Sequence, residues 1–268
     1  MGKTYDYSPV HRALEICAIL AFAGLTIALG FRVYSAITDV NGWILVGATA
    51  LGGYIAADLV SGIVHWLADT YGTPDTLLAG PNLVRPFREH HRWPEDIAHH
   101  DFVETNGNNC IVSVPAMVAF LFVPTGHWVG LVAVSFMLFL TVSVFGTNQF
   151  HKWAHTRNPS AVVRFLQKTR LILGKEHHQK HHTVPFDVYY CITTGWLNWI
   201  LAKSGFWRAL EWTILKVLGY KARDYTDAPA ALGAKPKGVK LAADGSVVYE
   251  DGTAVVEETV EQQQPSAA

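Results

Sequence analysis

The chain is 268 residues long, 50% hydrophobic and 12% aromatic, but only 16% charged, where a soluble globular domain carries about 25%. That deficit argues against an ordinary free-standing soluble enzyme. A formal net charge of -1, from 21 basic and 22 acidic residues, removes nucleic acid as a leading partner. Cys17, Cys110 and Cys191 lie in apolar stretches without CxxC spacing, so they read as small buried hydrophobes and not as a disulfide framework or zinc ribbon.

In chain order, residues 13–31 carry one charge, Glu15, and residues 43–64 carry one, Asp58. Each is long enough to cross a hydrocarbon core, which takes about 20 helical residues. The first lacks a clustered basic region ahead of it and is followed closely by the second, so a retained span is expected and not a signal peptide. Residues 110–124 form a shorter apolar stretch with Pro115 inside, expected to turn at Pro124-Thr125-Gly126 into residues 126–150, which hold no Asp, Glu, Lys or Arg. The expected fold is therefore an all-α membrane protein with about four spans. These spans place every histidine cluster on the face of the N-terminus, along with 20 of the 21 basic residues, leaving Arg32 alone opposite. By the positive-inside rule that face is cytoplasmic.

Residues 160–173 and 205–218 alternate apolar and basic residues at helical spacing, with tryptophan in the second. Such helices lie in the membrane interface or pack on the protein's own core. Residues 1–220 are expected to form the folded domain. Residues 221–268 turn polar and are expected to be a mobile tail, with a weak hairpin about Asp244-Gly245.

The abnormal residue is histidine, with thirteen copies, ten of them in short clusters. His65 ends the second span, where Asp58 and Asp69 share its helix face. A loop or broken helix then offers His90, His91, His99 and His100. His151 and His155 follow the last span at i, i+4 spacing, and KEHHQKHH gives His177, His178, His181 and His182. His11 and His127 stand alone and read as hydrogen-bonding residues at helix ends. Ionisable groups at a span end are costly and point to function. One zinc site needs only three or four ligands, so this number of imidazoles suits two metals, and the few carboxylates argue against calcium or magnesium. Neutral nitrogen ligands beside an apolar region suit two irons and O2 acting on an unactivated C–H bond, the metal carrying the chemistry and the protein supplying position. Zinc stays open as an alternative. Asp69 and Asp101 are expected to orient imidazoles from behind.

At DLVSGIVHWLADTYG, RPFREHH, HDFVETNGNNC, TNQFHKWAHT, KEHHQKHHTVPFDVYYCITTGWLN and GFWRALE, between Asp58 and Leu218, the chain resembles the plasmanylethanolamine desaturase family, membrane enzymes that form the vinyl-ether bond of plasmalogens. The resemblance implies a four-span helical protein with a di-iron centre. Its histidine pattern falls on His65, His90, His91, His100, His151, His155, His177, His178, His181 and His182. These exceed the ligands required by one or two, and His177 and His91 are the ones most readily set behind the others.

The function expected on this basis is O2-dependent desaturation of the 1-O-alkyl chain of an ethanolamine ether phospholipid. Two electrons per turnover come from a small carrier, a cytochrome b5 or a ferredoxin. Arg85, Arg88, Arg92, Lys152 and Lys180 could meet an acidic carrier or the lipid phosphate, or serve as positive-inside anchors. The alternatives are an acyl-lipid desaturase or hydroxylase of the same class, and a non-catalytic metal-binding or metal-transporting membrane protein. The bacterial inner membrane is favoured, or the endoplasmic reticulum in a eukaryote, with the catalytic face cytoplasmic.

Overall fold

A computed structural model describes residues 8–73, 75–77, 79–223, 239–241 and 247–249. Helix α1 (Pro9–Ala36) opens where the Ser8 hydroxyl accepts the Val10 N–H and Pro9 occupies the first turn, a pairing that satisfies an orphan donor and removes another. Helices α2 (Val40–Thr70) and α5 (Trp128–His155) follow the second and fourth apolar stretches, and all three are long and apolar enough to cross a membrane. Helix α4 (Phe102–Phe120) differs from the expected span at 110–124. It begins eight residues earlier, because Asp101 caps it by accepting the N–H groups of Val103 and Glu104 at 2.9 and 3.1 Å. Its first turns carry Glu104, Asn106, Asn108 and Asn109, so its apolar part is short. Three helices, not four, therefore meet the span criterion among the described residues.

The chain divides into two compact units. The first comprises residues 1–62, 97–173 and 191–197. Within it α1 packs against α4 and α5 around Phe22, Leu29, Cys110, Met117, Val134 and Leu138, while Leu20, Ile27, Phe31, Ile44 and Val112 point outward. An apolar exterior around an apolar core is what lipid as solvent requires. Arg32 donates to the carbonyls of Phe120, Leu121 and Val123 at 2.9, 2.6 and 2.6 Å, closing the C-terminus of α4, whose last carbonyls lack helical partners. At Gly53 on α2 a β-carbon would stand 2.7 Å from the Leu140 backbone nitrogen, so glycine is what admits α5. The buried Asp58 carboxylate accepts the N–H groups of Thr194, Gly195 and Leu197 at 2.8, 2.9 and 3.2 Å, tying that segment to α2. Helix α6 (Ala161–Lys168) buries Val163 but exposes Val162 and Phe165. The three cysteines are free, and Cys17, expected inside, faces outward from α1.

The second unit comprises residues 63–96, 174–190 and 198–268. It holds the last two turns of α2, a π-helical turn (Gly80–Val84) running into α3 (Arg85–Arg92), and α7 (Lys175–Gln179). It ends with α8 (Asn198–Lys203) and α9 (Phe206–Leu218). Helix α9 lies between Gly205 and Gly219, both at positive φ, where glycine carries no β-carbon penalty. It buries Trp207 against the protein and exposes Trp212, Leu215 and Leu218 on its other face. In the C-terminal region β1 (Val239–Leu241) pairs antiparallel with β2 (Val247–Tyr249) in the register Lys240 to Val248; the expected turn at Asp244-Gly245 lies outside the described residues. The expected mobility of the tail concerns residues that lie largely outside the described ones.

Candidate metal centre

Helix α2 presents His65 and Asp69 one turn apart, and both are buried at its end. Helix α3 presents His90 and His91. The α7 turn presents His178, and the chain directly after it His181 and His182, all three buried. All seven belong to the second unit. Around Asp69 Oδ2 stand His91 Nε2 at 3.1 Å, His65 Nε2 at 3.4 Å and His181 Nε2 at 3.5 Å, a set of four able to hold one ion. His181 Nε2 and His91 Nε2 are 3.2 Å apart.

The opposite ring nitrogens decide the character of this set. His65 Nδ1 lies 3.1 Å from the Tyr190 carbonyl and His181 Nδ1 lies 2.8 Å from the Val188 carbonyl. A carbonyl only accepts, so each Nδ1 carries the proton and each Nε2 turns its lone pair inward. Lone pairs and a carboxylate facing one another repel unless a cation lies among them. Burial also pushes the His181 imidazole below its ordinary pKa, favouring the neutral form that binds metal. Asp69 Oδ1 is buried with no hydrogen-bond partner among the described residues. The donor set therefore fits a metal ion of the transition series.

A second convergence lies beside the first. His182 Nε2 is 3.0 Å from His178 Nε2, and the His90 ring stands 4.8 Å from that of His182. His91 and His182 rings are 5.1 Å apart, which places the two convergences side by side. Phe87 packs on His65 at 4.9 Å and Phe186 on His91 at 4.7 Å, so aromatic rings wall the imidazoles from water.

The remaining expected residues fall as follows. His151 and His155 belong to the first unit, with rings 5.1 Å apart on α5. His100 is also there, its Nε2 3.9 Å from Glu104 and its carbonyl accepting from the Lys152 ammonium. His177 pairs with the Asn198 amide at 3.1 Å and packs on Tyr189 at 5.1 Å. His91, expected to be readily set behind the others, lies among the converging nitrogens. Asp101 does not orient an imidazole through any described contact: it caps α4 and receives Arg12 at 2.8 Å. The Arg12 hydrogen bond holds its carboxyl down at about 2. His99 is exposed. His11 lies 3.4 Å from Glu15, and His127 Nδ1 accepts the Val129 N–H at the start of α5, as expected of helix-end residues.

Sequence reasoning missed the two carbonyls that fix the imidazole tautomers. They belong to the segment after His182, where Phe186 and Tyr189 adopt φ of 62° and 63°, a left-handed conformation that bulky residues hold only under constraint. The unusual run VPFDVYY beside the histidines was the available signal.

Residues 54–225 match the model of the lipid desaturase domain family. The chain is 44% identical over 242 residues to plasmanylethanolamine desaturase of Myxococcus xanthus, covering 90% of this chain and 83% of that one. It is 40% identical to plasmanylethanolamine desaturase 1 of Mus musculus, covering 81% and 82%, and 31% identical to chloroplastic fatty acid desaturase 4 of Arabidopsis thaliana, covering 65% and 53%. No solved structure matches. A domain match over most of the chain, together with relatives at 44% and 40% identity covered over more than four-fifths of their length, makes the chain a member of the lipid desaturase family, an oxidoreductase.

Proposed function

We propose that this protein introduces the vinyl-ether double bond into the 1-O-alkyl chain of an ethanolamine phospholipid, using O2 and a pair of iron ions. The observation that carries the metal reading is the inward-facing Nε2 set around Asp69, and the substrate reading is supported by the relatives named plasmanylethanolamine desaturase. His65, Asp69, His91 and His181 would hold one iron. His90, His178 and His182 would hold the other, and His151 and His155 stay proposed ligands on the resemblance of their NQFHKWAH motif to the family. Such iron supplies O2-dependent removal of hydrogen from an unactivated carbon, so that O2, two electrons, two protons and two substrate hydrogens leave as two waters.

The chain's own part is positional. The carbonyls of Val188 and Tyr190 hold the His181 and His65 rings in one tautomer and one plane. Phe87 and Phe186 exclude water from the imidazoles, which strengthens every electrostatic contact there. Electrons would come from a cytochrome b5 or a ferredoxin, and a fourth span formed by α4 would put the site on the cytoplasmic face, in the bacterial inner membrane by preference. The likeness to a fatty acid desaturase keeps an acyl-lipid substrate as a second reading.

Purified protein loaded with iron, given an electron donor and an alkyl ether phospholipid, should yield a lipid that releases aldehyde in mild acid. Desaturation of acyl phospholipid with no change in the ether lipid would overturn the substrate assignment and leave the metal assignment standing.

A further inference from the structure

The second unit carries a row of aromatic side chains that the metal reading does not use. The Tyr190 ring stands 5.1 Å from His181 and 5.8 Å from His65. Trp207 lies 5.0 Å from Tyr190, Trp66 lies 5.8 Å from Trp207, and Tyr71 lies 5.5 Å from Trp66, all between ring centres. Tyr190, Trp207 and Trp66 are 0%, 3% and 2% exposed, while Tyr71 is partly exposed. The row therefore leads without interruption from the imidazoles to the edge of the unit.

Packing does not account for its composition. The indole N–H groups of Trp66 and Trp207 and the hydroxyl of Tyr71 are buried and meet no hydrogen-bond partner among the described residues. Each such donor is desolvated without a compensating bond, and phenylalanine would fill much of the same space with no polar atom to desolvate. Tyrosine and tryptophan offer what phenylalanine lacks, ready loss of a single electron, and orphaned buried donors in a row call for a role of that kind.

The geometry points to a route by which oxidising equivalents leave the metal centre through Tyr190, Trp207, Trp66 and Tyr71 when O2 is activated with no lipid in place. This rests on the iron reading above. One electron moves from Tyr190 to the oxygen-derived oxidant at the centre, which takes up a proton from solvent. Trp207 then refills Tyr190, Trp66 refills Trp207 and Tyr71 refills Trp66, each hop moving one electron inward and leaving the phenol and indole protons in place. A soluble thiolate returns one electron to Tyr71, which is partly exposed although its hydroxyl is buried, and two thiyl radicals so formed pair as a disulfide. The ligating histidines are thereby spared oxidation.

The test uses iron-loaded protein in lipid-free detergent with an electron donor and O2, monitoring iron content, O2 uptake, radical signals by freeze-quench electron paramagnetic resonance, and oxidised residues by peptide mass spectrometry. Wild-type protein should show a tryptophan or tyrosine radical and modification at Trp66, Trp207 or Tyr71 with His65 and His181 intact. Trp207→Phe should abolish modification at Trp66 and Tyr71, raise oxidation of His65 and His181 severalfold and shorten the life of the enzyme, with the initial desaturation rate unchanged. Trp66→Phe should confine modification to Trp207, and Phe206→Leu, which alters a ring beside Trp207 but off the route, should behave as wild type. An unchanged damage pattern in both tryptophan variants, with iron bound and O2 consumed, would overturn the route alone. Absence of iron or of O2 uptake would overturn the metal reading and the route with it.

Discussion

At the scale of single residues, what separates a ligand from a bystander is which atom faces inward. Asp69 gathers three imidazoles around one carboxylate oxygen, so Asp69→Asn should lower bound iron affinity by at least about tenfold, the loss seen when groups supporting a metal site are removed; elemental analysis after dialysis measures it. His91→Ala should also lose iron, whereas His177→Gln should keep the wild-type content, because His177 is engaged with Asn198 and Tyr189. Equal losses from the two would contradict the reading of the site. The doublets themselves were legible in the sequence as ligand-rich. Which ring nitrogen of His65 and His181 turns inward was not, since that depends on carbonyls brought round by the segment after His182 and on no side chain the spacing could reveal.

Asp101 gives a pH dependence with a defined sign. Its carboxyl sits at about 2 in the fold, chiefly through Arg12, against about 3.9 when unconstrained. A depressed folded value contributes stability that is full above the ordinary value and is lost as pH falls through the folded one. Amide protection at Val103 and Glu104 should therefore decline between about pH 4 and 2 in wild type and at higher pH in Arg12→Gln, as read by hydrogen exchange. The same protection in both proteins would remove Arg12 from the cap.

At the scale of elements, close helix contact depends on glycines that hydropathy does not distinguish. Gly53 leaves α2 against the backbone of α5 at Leu140, while a β-carbon at Gly47 on the same helix would have nothing within 4 Å. Gly53→Ala should cost about 1–3 kcal/mol, the range for overpacked cores, and Gly47→Ala should be neutral or slightly stabilising by helix propensity; thermal melts in detergent distinguish them. Helix α4 shows the matching gap in legibility. Its apolar half was visible from residue 110, but its start at Phe102 follows from the Asp101 cap and from polar residues that face neighbours, such as Asn109 donating to the Val144 carbonyl at 2.7 Å.

For the whole molecule, the family match ends at residue 225, and the described helices end with α9 at Leu218. Removal of residues 226–268, which lie beyond the family match, should leave membrane insertion, iron content and desaturation within about twofold of the full chain; a truncated protein that fails to hold iron would assign the tail a part in the fold. The charge deficit noted in the composition is explained at this scale by three apolar helices and outward apolar side chains.

Because the partners of His65 and His181 are main-chain carbonyls, the proton placement on these rings is insulated from point mutation. Replacing the side chain at 188 or 190 leaves the acceptor oxygen where it was, so the basicity of these two nitrogens is hard for evolution or an engineer to adjust one residue at a time. Insertions, deletions and prolines in that stretch can shift it, and so can replacement of Asp69, the one carboxylate in the set.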